Sequence, residues 1–287
     1  MKIAVLSDIH GNYHAFKACL EVAFQRNIDM FIFLGDYLGE FAYPQRTLKI
    51  LYELKEKYEC CFIRGNKEDY SLNMSQGINC EWRNGNSEIY GMIYNYESLS
   101  PNDLEFFSKM NICDTIELDG APSITFCHGS LEKNNEGLMK LTEGVKEQLR
   151  NCESKYILCG HSHVQQIMDF EGKTLINPGA VGVALHSQGG ESRFTILELN
   201  NGEWDHEFIH VDYNKDDVVK ELHESGLYEK SPCWCGVTEH LIRTGETSHG
   251  SVLDEAIRLC KEENAYTEWY NIPKRYWEKA LVNMGIN

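Results

Sequence analysis

Lys2-Ile3-Ala4-Val5-Leu6-Ser7-Asp8-Ile9-His10-Gly11-Asn12 sets the reading of the whole chain. Its first half is a short, nearly continuous apolar run, the pattern of a strand buried on both faces. Its second half turns polar at once, with an aspartate and a histidine two residues apart. The same event recurs. Met30–Leu34 ends at Gly35-Asp36, and Cys60–Ile63 ends at Gly65-Asn66. Ser123–Cys127 ends at His128-Gly129, and Tyr156–Cys159 ends at Gly160-His161-Ser162-His163. Helical patterns lie between. Tyr13–Gln25 repeats Phe16, Leu20, Ala23 and Phe24 at spacings of three and four, and Pro44 opens a second helix to about Tyr58. Strands alternating with helices predict βαβ units and an α/β fold.

The pattern then changes. Lys173–Ile176 runs into the turn Asn177-Pro178-Gly179. Phe194–Leu199 and Trp204–Val211 flank Asn200-Asn201-Gly202, a hairpin signal. From Asn214 onward Val218–Leu222, Val252–Leu259 and Lys274–Met284 are amphipathic and helical. This places a boundary between residues 1–213 and a C-terminal helical segment, 214–287. Within 71–111 the expectation is two helices around a loop at Trp82–Asn86.

Composition narrows the function classes. The 287 residues carry 27 Lys+Arg and 44 Asp+Glu, a net charge of −17, with 42 % hydrophobic residues. That apolar fraction is too high for a disordered chain. The acidic balance argues against extended nucleic-acid or anionic-membrane binding, which needs basic patches. It leaves room for a small phosphate substrate, because bound cations supply local positive charge. No apolar run is long enough to span a membrane. The 11 cysteines are odd in number and several sit inside apolar runs. With no secretory signal at the N-terminus, the expectation is a cytoplasmic protein.

The polar tips carry the chemistry. In an open, mostly parallel sheet, ligands gather beyond the carboxyl ends of the strands. Asp8, Asp36, Asn66, His10, His128, His161 and His163 put oxygen and nitrogen donors on one rim. These seven donors exceed one tetrahedral site. They suit two adjacent cations if one carboxylate bridges. Such a pair clamps the attacking and leaving oxygens of a displacement at phosphorus. The glycine beside each tip lets the backbone crowd the donors together.

This ordered series resembles the calcineurin-like metallophosphoesterase superfamily. Asp8-Ile9-His10-Gly11-Asn12 and Ile176-Asn177-Pro178-Gly179-Ala180-Val181-Gly182 are similar to its small bacterial and archaeal phosphodiesterase branch. The resemblance covers roughly residues 1–213. It implies a four-layer α-β-β-α sandwich with a binuclear centre, here with a C-terminal helical appendage. By the same resemblance Asp8, His10, Asp36 and His163 hold the first metal. Asp36, Asn66, His128 and His161 hold the second, with Asp36 bridging. Manganese, iron and zinc all suit this mixed ligation.

The chain also departs from the family. Gly-Asn-His followed by an acid is common there, whereas this chain has Gly65-Asn66-Lys67-Glu68. Lys67 is then the candidate catalytic residue, as an acid if nearby cations lower its pKa, or as a phosphate ligand. Either role favours substrates with good leaving groups. Glu40 stands where protein phosphatases of the superfamily carry a phosphate-binding arginine. Arg64 resembles the arginine of their Arg-Gly-Asn-His string and is a candidate substrate contact, as is the loop residue His186. His14 opens the first helix, either near the rim or on the helix surface. The aromatics Trp234, Tyr266, Trp269, Tyr270, Tyr276 and Trp277 pack the C-terminal helices, form a lid with a ring for a nucleobase, or make a dimer contact.

The resulting expectation is a metal-dependent hydrolase of phosphodiesters or nucleotide phosphoanhydrides, such as diadenosine polyphosphates. A metal-bridging hydroxide attacks phosphorus. The alternatives are a broad phosphomonoesterase or protein phosphatase, and a non-catalytic scaffold. The partner is a small phosphate ester or nucleotide, and oligomerisation stays open.

Overall fold

A computed structural model describes residues 1–84, 87–263 and 268–286. Two five-stranded sheets are packed face to face. The first contains β1 (Lys2–Leu6), β2 (Met30–Phe33), β3 (Glu59–Phe62), β9 (Ser192–Asn200) and β10 (Glu203–Val211), in the order β10-β9-β1-β2-β3. The strands β1, β2 and β3 run parallel, while β9 pairs antiparallel with β1 and β10. The second contains β4 (Cys113–Ile116), β5 (Ile124–Cys127), β6 (Tyr156–Leu158), β7 (Gln166–Phe170) and β8 (Lys173–Asn177), in the order β4-β5-β6-β8-β7.

The alternation of strand side chains explains the layers. In β1, Ile3 and Val5 face the second sheet and meet Ile124, Phe126, Leu158 and Ile176. Ala4 and Leu6 face the other way, onto the outer core with Phe16, Leu20, Leu48 and Leu51. Those residues come from α1 (Tyr13–Gln25) and α2 (Pro44–Lys57). On the far side, Val145 and Leu149 of α6 (Glu143–Asn151) cover Ile157 and Leu175. The order is helix, sheet, sheet, helix. Burial on both faces is why β1 reads as an unbroken apolar run.

The Asn201-Gly202 turn joins β9 to β10 with φ of +51° and +79°, as a type I′ hairpin needs. The segment 71–111 corrects the expectation. Three helices fill it and its approach: α3 (Asn66–Ser75), α4 (Tyr90–Glu97) and α5 (Pro101–Ser108). The expected loop at Trp82 lies in a 3-10 turn, Cys80–Asn84, with Trp82 buried against Met74, Ile89 and Ile93. Gly85 and Asn86 lie outside the described residues.

Beyond β10, Asn214 caps α7 (Lys215–Glu224), followed by α8 (Leu227–Lys230), α9 (Pro232–Thr244), α10 (His249–Glu262) and α11 (Lys274–Asn283). Helices α9, α10 and α11 share a core of their own around Trp277, Tyr276, Val252 and Ala256. Val218, Leu241 and Ile242 dock α7 and α9 on Phe41, Ala180 and Val183 of the sandwich. Glu88 fastens the start of α9, accepting from the Cys233 and Trp234 N–H groups at 2.8 and 3.1 Å. Tyr266 lies outside the described residues. Among the described residues no helix is long and apolar enough to cross a membrane.

Candidate metal centre

All five tips come together at the carboxyl ends of β1, β2, β3, β5 and β6. Asp8, His10, Asp36 and His128 are almost fully buried, at 0–2 % exposure. His163 Nε2 lies 3.3 Å from Asp8 Oδ1, and His10 Nε2 lies 3.8 Å from the same atom. Asp36 divides its two oxygens: Oδ2 is 3.5 Å from His10 Nε2, and Oδ1 is 3.5 Å from His128 Nε2. Asn66 Oδ1 lies 3.2 Å from His128 Nε2, and the His161 ring packs edge-on to His128 at 5.2 Å. Two donor groups meet metal-binding spacing, Asp8-His10-His163 and Asp8-Asp36-His128.

Backbone strain is concentrated here. Asp8, His10, Asp36, His161 and His163 all have φ between +51° and +64°. Each such non-glycine residue costs of order 1–3 kcal/mol and persists only where surroundings enforce it. Here those surroundings are identifiable. Glu68 accepts N–H groups from Gly65, Asp36 and Tyr37 at 2.8–2.9 Å, which locks two tips together. Ser7 Oγ and the His161 N–H donate to Asp8 Oδ2 at 2.6 and 3.1 Å. Asn177 Nδ2 donates to the Gly160 carbonyl at 2.8 Å and to Ser162 Oγ at 3.0 Å, which shapes the His161–His163 loop. The strap after it runs beside the first tip, where the Val181 and Gly182 N–H groups bond the Ser7 and Asp8 carbonyls at 2.9 Å. Asn12 ties in from the other side, donating to the Gly182 carbonyl at 3.0 Å while capping α1.

The histidines present bare nitrogens to the cluster. His128 Nδ1 donates to the Leu34 carbonyl at 2.6 Å, leaving Nε2 as a lone pair facing Asp36 and Asn66. His10 Nδ1 bonds Glu40 Oε2 and turns its own Nε2 inward. Among the described residues, buried Asp8 Oδ1 and His10 Nε2 have no hydrogen-bond partner. A buried polar atom left unpaired costs roughly 1–3 kcal/mol. A cation removes that cost at both atoms, so the residues fit a metal. The charges agree. Burial alone would lower the His10 imidazole, but Glu40, Asp8 and Asp36 around it push it up to about 10. The pocket draws positive charge.

Glu40 was not legible as part of the site. It is 3 % exposed and sits between His10 Nδ1 and Lys67 Nζ, the latter at 2.8 Å. A carboxylate behind a ligating histidine fixes its tautomer and orientation. Glu40→Gln is expected to weaken metal affinity about 10–100-fold, read by competition with a chelating dye. Unchanged affinity would assign Glu40 to Lys67 alone.

The other candidates separate. Lys67 lines the cleft beside the cluster. Burial would lower its amine, but Glu40 and Asp36 raise it, and the cations that a shift toward an acid requires would act against those two carboxylates. Arg64 is turned away, with Nε donating to Asp69 Oδ1 at 2.6 Å and Nη1 to the Met110 carbonyl at 2.5 Å. His186 is exposed, its N–H on the Gly245 carbonyl at 2.8 Å. Neither lines the cleft, so the geometry does not favour the substrate roles expected for them. His14 reaches Glu221 of α7 at 3.2 Å. His249, which carried no sequence signal, does line the cleft. Burial holds its imidazole down at about 4 against the opposing pull of Glu40.

Fold and donors together define a metal-dependent phosphoesterase. The chain belongs to the calcineurin-like phosphoesterase superfamily, whose domain matches residues 1–202. The family uses divalent metal ions. An uncharacterized protein of Methanocaldococcus jannaschii is 24 % identical over 249 residues, covering 82 % of this chain and 95 % of that one. A PP2A-like serine/threonine-protein phosphatase of Candida albicans is 28 % identical over 141 residues, 47 % of this chain and 30 % of its own. Among solved structures, a hypothetical protein of Pyrococcus horikoshii superposes with a TM-score of 0.72 at 19 % identity, over 86 % of this chain and 99 % of that one. A metallophosphoesterase of Sphaerobacter thermophilus gives 0.65 at 20 % identity, over 83 % and 100 %.

Proposed function

We propose that the chain is a binuclear phosphoesterase acting on phosphodiesters or nucleotide phosphoanhydrides. One observation carries the two-metal reading: Asp36 turns one oxygen to His10 and the other to His128, each at 3.5 Å. Asp8, His10, Asp36 and His163 would hold one ion, and Asp36, Asn66, His128 and His161 the other. Manganese, iron and zinc match these donors. When bound, such ions lower the pKa of water from about 15.7 toward about 7 and neutralise phosphate oxygens.

The chain's own groups do the rest. Glu40 and the Leu34 carbonyl orient His10 and His128. Lys67 N–H donates to Asp36 Oδ1 at 2.9 Å and holds the shared carboxylate. The Lys67 ammonium, paired with Glu40, faces the cleft as a fixed positive charge for a phosphate oxygen. A charged ammonium supplies no proton readily at neutral pH, which favours leaving groups that depart as anions. Residues 1–213 form the catalytic domain, and 214–287 close one side of its cleft. Burial of the donors supports metal occupancy, because an empty cluster keeps unpaired polar atoms.

The test is hydrolysis of bis(para-nitrophenyl) phosphate against para-nitrophenyl phosphate with added Mn²⁺. The diester is expected to have the higher kcat/KM. Preference for the monoester would favour a phosphomonoesterase or protein phosphatase.

A further inference from the structure

The cleft beside the donor cluster encloses about 620 Å³, within the roughly 300–1,000 Å³ of small-molecule sites. One wall is the donor cluster with Lys67. The rest of the lining comes largely from the C-terminal helices and is mostly apolar, with Trp234, Leu253, Ile257 and Trp269 joined by Met92. His249 sits in that lining, its ring stacked on Trp234 with centroids 4.6 Å apart.

Its hydrogen-bond partner favours one tautomer. Thr238 Oγ1 donates to the Trp234 carbonyl at 3.1 Å. A hydroxyl has one proton to give. With that proton committed to the carbonyl, the 2.8 Å contact between Thr238 Oγ1 and His249 Nε2 is assigned as an N–H donated by the histidine. Nδ1, outside that contact, is then the ring nitrogen that can accept from a ligand. A mostly apolar wall with one such acceptor discriminates. A ring without a donor would leave Nδ1 unpaired, whereas a ring with a suitably placed N–H satisfies it.

We infer that this wall is the subsite for a nucleoside-like organic group of the substrate, a planar heteroaromatic ring whose N–H donates to His249 Nδ1. The inference rests on the phosphodiester reading above and adds what lies on the other side of phosphorus. The aromatic residues supply stacking, which any planar ring satisfies, and His249 supplies the selection among rings.

The test compares para-nitrophenyl thymidine 5′-phosphate with bis(para-nitrophenyl) phosphate. Both release the same leaving group, so the ratio of their kcat/KM values reads the remaining group. The wild-type ratio is expected to favour the thymidine diester. His249→Phe keeps a ring on Trp234 and is expected to lower that ratio about tenfold, the worth of one hydrogen bond. His249→Asn places its amide oxygen where Nδ1 stands and is expected to restore most of it. Equal losses on both substrates, or no restoration by asparagine, would overturn the assignment. If the wild type cleaves neither diester, the phosphodiester reading fails, and thymidine binding decides the subsite separately. Tryptophan fluorescence of the metal-free protein should then show saturable quenching by thymidine, weakened about tenfold in His249→Phe. No quenching, or quenching that His249→Phe leaves unchanged, would refute the subsite.

Discussion

Asp36→Asn is expected to lower kcat/KM on a phosphodiester by about a thousandfold, or about 4 kcal/mol of transition-state stabilisation. Volume and shape are nearly conserved, so packing is not the cause. The carboxylate presents equivalent anionic oxygens to His10 and His128, each at 3.5 Å. An amide offers one neutral oxygen and one N–H₂ donor. Whichever way it turns, a donor faces one imidazole nitrogen or the ion beside it. The Lys67 N–H at Asp36 Oδ1 makes the amide oxygen the preferred occupant there. The side facing His10 is then the one that loses its ligand. Circular dichroism and Tm should stay near wild type, so that the loss is chemical. Activity within tenfold of wild type would remove Asp36 from the centre of the account.

The second large effect needs only a methyl group. A Cβ on Gly65 would stand 2.1 Å from Asp36 Oδ1 and 2.6 Å from the Asp36 backbone nitrogen. Gly65 has an ordinary extended backbone, φ −90° and ψ −173°, so alanine meets no conformational penalty. The contact alone forces the shared carboxylate aside. Overpacking of this kind costs roughly 1–3 kcal/mol in stability, and a displacement near 1 Å costs about a hundredfold in rate. Gly65→Ala is therefore expected to lose activity far beyond what its Tm suggests. Gly144→Ala is the control. It lies in α6, where a Cβ meets nothing within 4 Å, and it should leave both measurements near wild type. Full activity in Gly65→Ala would mean that the tips are looser than these distances imply.

Much of this was legible in the sequence, for definite reasons. β1, β2, β5 and β6 are buried almost throughout, so each had to be an apolar run, and each ended where the backbone met the rim. Helix α1 announced itself by its spacing and by Asn12. The edge strands β4 and β7 did not. Cys113-Asp114-Thr115-Ile116 leaves its middle residues exposed, and Gln166–Phe170 buries none of its residues fully. Edge strands carry polar residues as a rule, which erases the apolar signal. Helix α5 was not delimited within 71–111 despite a readable start. Ser100 and Asp103 bond each other's backbone N–H, and Pro101 follows the cap.

In the site, the donors were legible because metal chemistry restricts residue type. Their supports were not. Glu40, Glu68 and Asn177 act through contacts made 30, 32 and 17 residues away in the chain, and a carboxylate or amide in sequence gives no sign of which partner it meets. The glycines were legible but with an incomplete reason. Gly35 does turn at φ +89°, yet Gly65 and Gly160 are required because a Cβ would strike Asp36 and Ser7 at 2.1 Å. His249 lies furthest from the motifs and reaches the cleft only because α9 and α10 fold back over it. Its role depends on tertiary packing that no local pattern encodes.

The tips of the two sheets are assigned as one site for two ions that share Asp36. Metal content per chain tests it most directly. Protein reconstituted with Mn²⁺, desalted and measured by inductively coupled plasma mass spectrometry should hold two ions per chain, and Asp36→Asn should hold fewer. One ion in the wild type, or two held undiminished in Asp36→Asn, would contradict it.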